Sequence, residues 1–242
     1  MTIISQKLTT EKDGISGYLA YPKRKQRGPA ILWIHHNHGV TDNLKMEAYD
    51  YAELGYTAFV PNLYHLLGYP GSHHLGQGQD IQKVTSDDRF VEVIRKSWDY
   101  LLARDDVDPA RVGVIGYCMG GRLGIPFVAA TPQVCAYVAF YPSIKDEPET
   151  EVRPRHALKV AKEIKCPSLV VFGGKDHIST NEVQLKLWQG FIASGQPVEW
   201  HYYSWGLHGF IAPVSEGYQP QLARRVRPLA VDFLDRHLKA AE

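Results

Sequence analysis

Cysteine is scarce in this chain: three residues in 242, at positions 118, 135 and 166. That number and spacing exclude a disulfide framework and show no zinc-ligand pattern. No block of lysine or arginine stands out among 27 basic and 26 acidic residues, a formal net charge of +1. The chain therefore lacks an electrostatic footprint for nucleic acid or an anionic membrane. Long apolar runs are missing too. The opening MTIISQKLTTEKDG has no basic segment leading into a hydrophobic stretch, and no later run approaches the length of a bilayer-spanning helix. These absences predict a soluble, unexported, cytoplasmic protein whose partner is a small molecule, and they leave its oligomeric state open.

What is present is a hydrophobic content of 44%, enough to bury the core of a single α/β domain over residues 1–242. Short apolar runs at 30–34 (AILWI), 56–60 (YTAFV), 112–115, 134–141 (VCAYVAFY) and 168–172 (SLVVF) are continuous rather than alternating. That pattern predicts central parallel strands covered on both faces. Between the first two, Leu44, Ala48, Tyr51 and Ala52 recur at helical spacing after Thr41-Asp42-Asn43; between the second and third, Val91, Ile94, Trp98, Leu101 and Leu102 do the same. Further helices are expected over 181–193 and around Leu222, Val226, Leu229 and Phe233, where Pro228 must kink or start the last one. Residues 3–9 and 15–21 read as a hairpin turning at Asp13-Gly14, and alternating 198–203 as a strand nearer an edge. The segment 64–82 is too long for a simple connection and reads as an irregular lid or pocket loop, with His73 and His74 solvated in it.

The stretch RVGVIGYCMGGRLG, 111–124, sets Cys118 between small residues just after an apolar run. A strand, a tight turn at Cys118 and a helix from Met119 fit the nucleophile elbow G-x-S-x-G with sulfur in place of oxygen. The helix start favours thiolate, and the Met119 amide is available to a developing oxyanion. A core cysteine beside helix-packing glycines is the plainer reading of the same residues. Position decides between them. Gly173-Gly174-Lys175-Asp176 leaves the next parallel run but one, and His208 follows the strand at 198–203, giving the order nucleophile, acid, histidine. Taken singly, Asp176 reads as a turn or cap residue and His208 as a solvated loop residue.

The chain resembles the dienelactone hydrolases, cysteine-dependent members of the α/β-hydrolase superfamily, from about Tyr18 to the last helix. The likeness rests on GYCMGG at 116–121, GGKDH at 173–177, HGF from His208, and ILWIHHNHGVTDN followed by YTAFVPNLY. It implies an α/β-hydrolase fold, a mostly parallel central sheet with helices on both faces. It also implies a Cys118-His208-Asp176 triad, with an oxyanion hole from the backbone amides of Met119 and Asn37. Two departures touch the substrate. Where the resemblance implies a glutamate near the thiol the chain has His36, and where it implies an arginine for a substrate carboxylate the chain has Ala212. Arg89 and Arg122 are the nearest substitutes for that cation, although Arg122 also suits a role packing or capping its own helix.

His35, His36 and His38 do not read as a metal site, because adjacent strand residues point to opposite faces and no further ligand lies at the right spacing. They line the pocket mouth, with His36 nearest the thiol and able to supply a cation only on the acid side. Tyr64, Tyr141, Trp205 and Phe210 flank the loops that carry the chemistry and are candidates for an apolar substrate wall as well as for ordinary packing. Cys135 and Cys166 sit in or beside apolar runs as core or strand-edge residues. The reading that results is a cofactor-free hydrolase of a small neutral ester or lactone. A thioesterase or general carboxylesterase is the nearest alternative, and a non-catalytic relative that binds a ligand or partner is a second.

Overall fold

The chain is described here from a computed structural model over residues 1–71 and 74–239; the expectation for His73 lies outside the described residues. Its first half runs β1 (Ile3–Leu8), α1 (Thr10–Asp13), β2 (Gly17–Pro22), β3 (Gly28–Ile34), α2 (Asp42–Glu53), β4 (Thr57–Pro61), α3 (Leu63–Leu66), α4 (Leu75–Val84) and α5 (Asp87–Leu102). The second half runs β5 (Val107–Tyr117), α6 (Met119–Ala129), β6 (Ala136–Phe140), α7 (Ala157–Val160), β7 (Ser168–Lys175), α8 (Asn181–Ala193), β8 (Val198–Leu207) and α9 (Pro220–Leu238).

The strands form one sheet in the order β1-β2-β4-β3-β5-β6-β7-β8. The pairs β1/β2 and β2/β4 are antiparallel and all others parallel. This is the α/β-hydrolase architecture, with helices covering both faces. All seven residues of β3 and all five of β4 and β6 are buried, which is why their apolar runs do not alternate. On one side Trp33 packs its edge on Tyr51 of α2 at 5.1 Å between rings; among the other helices Trp98 of α5 meets Phe127 of α6 at 5.8 Å.

Several boundaries differ from the sequence pattern, each for a local reason. The β1–β2 connection is a helical turn in which the Asp13 carboxylate accepts from the Thr9 amide at 2.8 Å, closed by Gly14 at φ 67°. β5 begins at Val107, five residues before its apolar run, because the polar VDPAR stretch already lies beside β3. α9 starts with Pro220 as its first residue, where a missing N–H costs nothing, and runs through Pro228. The expected irregular segment 64–82 is largely helical, holding the end of α3 and most of α4.

Parallel registry aligns Ile34 with Gly116 and Gly116 with Ala139. The carboxyl ends of β3, β5 and β6 therefore lie side by side, with those of β7 and β8 beyond them. Loops from this edge of a parallel sheet are where such folds carry their chemistry.

Candidate active site

At the end of β5 the backbone turns through Cys118, which holds φ 52° and ψ −114°, a conformation that costs a non-glycine residue free energy. Three hydrogen bonds pin it there. Its amide donates to the Phe140 carbonyl at 3.0 Å, and its carbonyl accepts from the Arg122 and Ser143 amides, both at 3.0 Å. The flanking glycine at 120 answers a steric demand, since a β-carbon there would strike the carbonyl oxygens of Ile34 and His35.

The elbow meets two other loops. His208 Nε2 lies 3.1 Å from Cys118 Sγ, and His208 Nδ1 lies 2.8 Å from Asp176 Oδ2. The second Asp176 oxygen accepts from the Ile178 and Ser179 amides at 2.8 and 2.9 Å, so the acid is fixed on both sides. Burial alone would raise the Cys118 thiol, but the His208 imidazole, the Met119 amide and the Ser143 hydroxyl bring it below its ordinary value. Burial works against charge on His208 as well; Cys118 and Asp176 more than offset it and lift the pKa to about 10. Both directions favour a thiolate–imidazolium pair. Such an arrangement can attack an electrophilic carbon and hand on a proton.

Residues that the sequence pattern did not single out hold these loops. The Ser179 hydroxyl bonds the carbonyls of Pro142 and Ile144 at 2.7 and 2.9 Å, tying the Asp176 loop to the one that carries Ser143. Below the elbow, the Tyr117 hydroxyl donates to Glu47 at 2.6 Å, and Arg227 bonds both Glu47, at 2.6 Å, and the Ile211 carbonyl, at 3.0 Å. Asn37 is set from two sides. Its carbonyl accepts from the Tyr64 hydroxyl at 2.9 Å, its side chain accepts from Gln82 at 2.8 Å, and Gln82 in turn accepts from Arg122 at 3.1 Å.

A cavity of about 400 Å³ opens over the sulfur, walled by His36, Asn37, Tyr141, Ile178, Leu207 and Ala212 among others. Leu75 and Gln79 of α4 also reach it. The Tyr141 hydroxyl is buried there with no hydrogen-bond partner among the described residues. Other expected wall residues lie elsewhere. Tyr64 is fully buried beneath Asn37, and Phe210 is fully buried behind Tyr141, with ring centres 4.9 Å apart. Trp205 is exposed against Tyr203, because β8 continues to Leu207 and that residue takes the wall position. Arg89 points into solvent and pairs with Glu92 at 2.6 Å. Arg122 pairs with Asp87 and faces a neighbouring cavity.

The histidines after β3 part as their strand position predicts. His35 accepts from the Leu63 amide through Nε2 at 3.2 Å and so donates through Nδ1 to the His36 carbonyl at 2.7 Å. His36 faces the cavity and accepts from the His38 amide at 3.2 Å. Burial, then His38 and His35, push the pKa of His36 down to about 3. The acid-side cation expected of it is thereby withdrawn: His36 stays neutral across the range where His normally titrates. Between about 6.5 and about 3 the unfolded chain binds a proton that folded His36 refuses, so stability falls as pH drops through that window. His36→Gln is expected to remove up to about 1.4 kcal/mol per pH unit from that acid-side slope in denaturant unfolding. An unchanged slope would mean that His36 is protonated in the fold.

Similarity to known proteins falls along the whole chain. The family model described as "Dienelactone hydrolase family" matches residues 15–238. The carboxymethylenebutenolidase of Rhodococcus opacus is 28% identical over 242 residues, covering 97% of this chain and 91% of that protein. Among solved structures, a Klebsiella pneumoniae protein whose name places it with the dienelactone hydrolases superposes with a TM-score of 0.87 at 23% identity, over 98% of this chain and 100% of its own. A dienelactone hydrolase-like promiscuous phosphotriesterase from metagenomic libraries superposes with a TM-score of 0.78 at 18% identity, over 98% and 99%. At those identities the structures speak for the fold alone.

Proposed function

Because the chain belongs to the dienelactone hydrolase family, whose model spans residues 15–238, we propose that it hydrolyses a small ester or lactone through a thioester on Cys118. The observation that carries this reading is the relay from sulfur to imidazole to carboxylate, at 3.1 and 2.8 Å. Asp176 holds the proton of His208 on Nδ1 and stabilises the imidazolium. The Cys118 thiolate attacks the ester carbon, and the resulting oxyanion sits between the backbone amides of Met119 and Asn37. As the tetrahedral species collapses, the Nε2 proton goes to the leaving alkoxide, which departs as the alcohol; in a lactone it stays tethered to the acyl group. Water then enters and gives its proton to Nε2, and its hydroxide displaces the acyl group from sulfur as the carboxylic acid.

The reacting end of the substrate is neutral on this reading. Ala212 takes the place of a cationic anchor, no arginine or lysine lines the cavity among the described residues, and His36 carries no positive charge to substitute. A carboxylate beside the scissile bond would be desolvated there without a fixed partner.

The test is acylation with a small activated ester such as p-nitrophenyl acetate. A stoichiometric nitrophenol burst is expected, with an acetyl group found by mass spectrometry on the peptide that contains Cys118. Absence of both burst and adduct would sink the acyl-enzyme and favour a binding-only relative.

A further inference from the structure

A second cavity, of about 580 Å³, lies against the first and shares Asn37, Gln79, His177 and Ile178 with it. These shared residues reach the reacting groups. Asn37 is the proposed oxyanion residue, and the His177 ring stands 5.9 Å from that of His208. The second cavity is also lined by Ser143, whose amide donates to the Cys118 carbonyl at 3.0 Å and whose hydroxyl helps hold the thiol below its ordinary value. A ligand in this space is thus next to the thiol without occupying the cavity above it.

Its chemistry is the reverse of its neighbour's. Lys83, Arg122, Lys145, Arg153 and Arg155 line it against the two carboxylates of Asp87 and Glu147, in a chain whose net charge is only +1. The pairing is incomplete. One buried carboxylate, Asp87, serves two guanidiniums, those of Arg122 and of Arg153, the latter at 3.2 Å. Glu147 reaches Arg153 only at 4.0 Å, Arg155 reaches Glu163 at 3.9 Å, and Lys83 pairs with Asp80. Lys145 has no ion pair among the described residues. Burial, and then the neighbouring Arg122, hold Arg153 below its ordinary value, as expected of a cation with too little counter-charge. An anion placed here would relieve that excess, and guanidinium groups suit oxyanions geometrically.

We propose that this second cavity binds an anionic group, a carboxylate or phosphate, carried at the far end of the ester substrate from its scissile bond. The inference rests on the ester-hydrolase reading above. On this inference a site that has alanine at 212 can still select an acidic substrate: the loop between β6 and α7 supplies Lys145, Arg153 and Arg155, α4 and α6 supply Lys83 and Arg122, and together they recognise charge at a distance from the reacting carbon. A carboxylate next to the ester is excluded by the same layout.

The experiment compares kcat/KM for p-nitrophenyl esters whose acyl chains end in carboxylate, phosphate, methyl ester or ammonium, over a series of chain lengths. At one length the carboxylate or phosphate should exceed the matched neutral ester by about tenfold to a hundredfold, the range of charge-assisted hydrogen bonds. The ammonium ester should be poorest, and added salt should narrow the gap. In the Lys145→Met/Arg153→Met double variant the anionic-to-neutral ratio should fall towards one, with Arg153→Lys in between. The ratio is taken within each preparation, so a variant that folds poorly loses both rates alike and cannot imitate the result. Equal rates for anionic and neutral esters at every length, or an advantage that survives the double substitution, would overturn the inference. Failure of every ester to acylate Cys118 would instead bring down the hydrolase reading and this one with it. A better carboxylate than phosphate, or the reverse, identifies which oxyanion the cavity takes.

Discussion

Cys118→Ala is expected to remove ester turnover down to background, a loss on the order of 10⁴-fold or more given how nucleophile deletions behave in coupled relays. The fold should survive, because the substitution removes one small atom from a site whose backbone is held by three main-chain hydrogen bonds. Cys118→Ser should also be slow by orders of magnitude. A hydroxyl is far harder to ionise than a thiol, and the pair His208–Cys118 is arranged to favour thiolate. The other two cysteines supply controls. The Cys166 thiol is pushed up by burial to about 12, and the Cys135 sulfur bonds the Ala110 carbonyl at 3.1 Å; alanine at either position should act only through stability. Steady-state kinetics beside circular dichroism of each variant makes the measurement. Parental activity in Cys118→Ser would refute a site tuned to sulfur.

Asp176→Asn should cut kcat by on the order of 10³–10⁴ with little change in fold. The asparagine oxygen can still accept from the Ile178 and Ser179 amides, which keeps the loop in place. Its amide group then faces His208 Nδ1 as a donor, and the imidazole must carry its proton on Nε2, pointing it at the sulfur it should deprotonate. The carboxylates of the loop after β6 are engaged elsewhere. Asp146 is paired with Lys186 at the surface and Glu147 faces Arg153. A loss of tenfold or less would show that orientation of His208 does not depend on Asp176.

The sequence carried the elbow because its demands are local. A glycine is required where the α6 turn passes the end of β3, and a continuous apolar run is required of a strand buried on both faces, so Gly116, Cys118 and Gly120 could be read directly. The order of Cys118, Asp176 and His208 was legible for the same reason, each following a recognisable strand. The supporting residues were not. Ser179 acts on carbonyls 35 and 37 residues away, and Gln82 acts on Asn37 across 45. Such contacts depend on how the loop after β6 and the α4 segment fold back, and no periodicity records that. Trp205 and Phe210 were misplaced as wall residues by a smaller effect. Polarity stops alternating before β8 ends, so its last residues, including Leu207, did not look like strand. The basic cavity escaped notice because its five cations are scattered from position 83 to 155 and become neighbours only in three dimensions.

The thiol and its imidazole partner stand 90 residues apart in the chain, and the imidazole lies just beyond β8, the last strand in the chain. Cys118 is therefore synthesised well before His208, the group that does most to favour its thiolate. Without β8 docked on β7, the contribution of His208 to the thiolate is missing. Reactivity toward iodoacetamide, read on the peptide that contains Cys118, should therefore report whether His208 has docked.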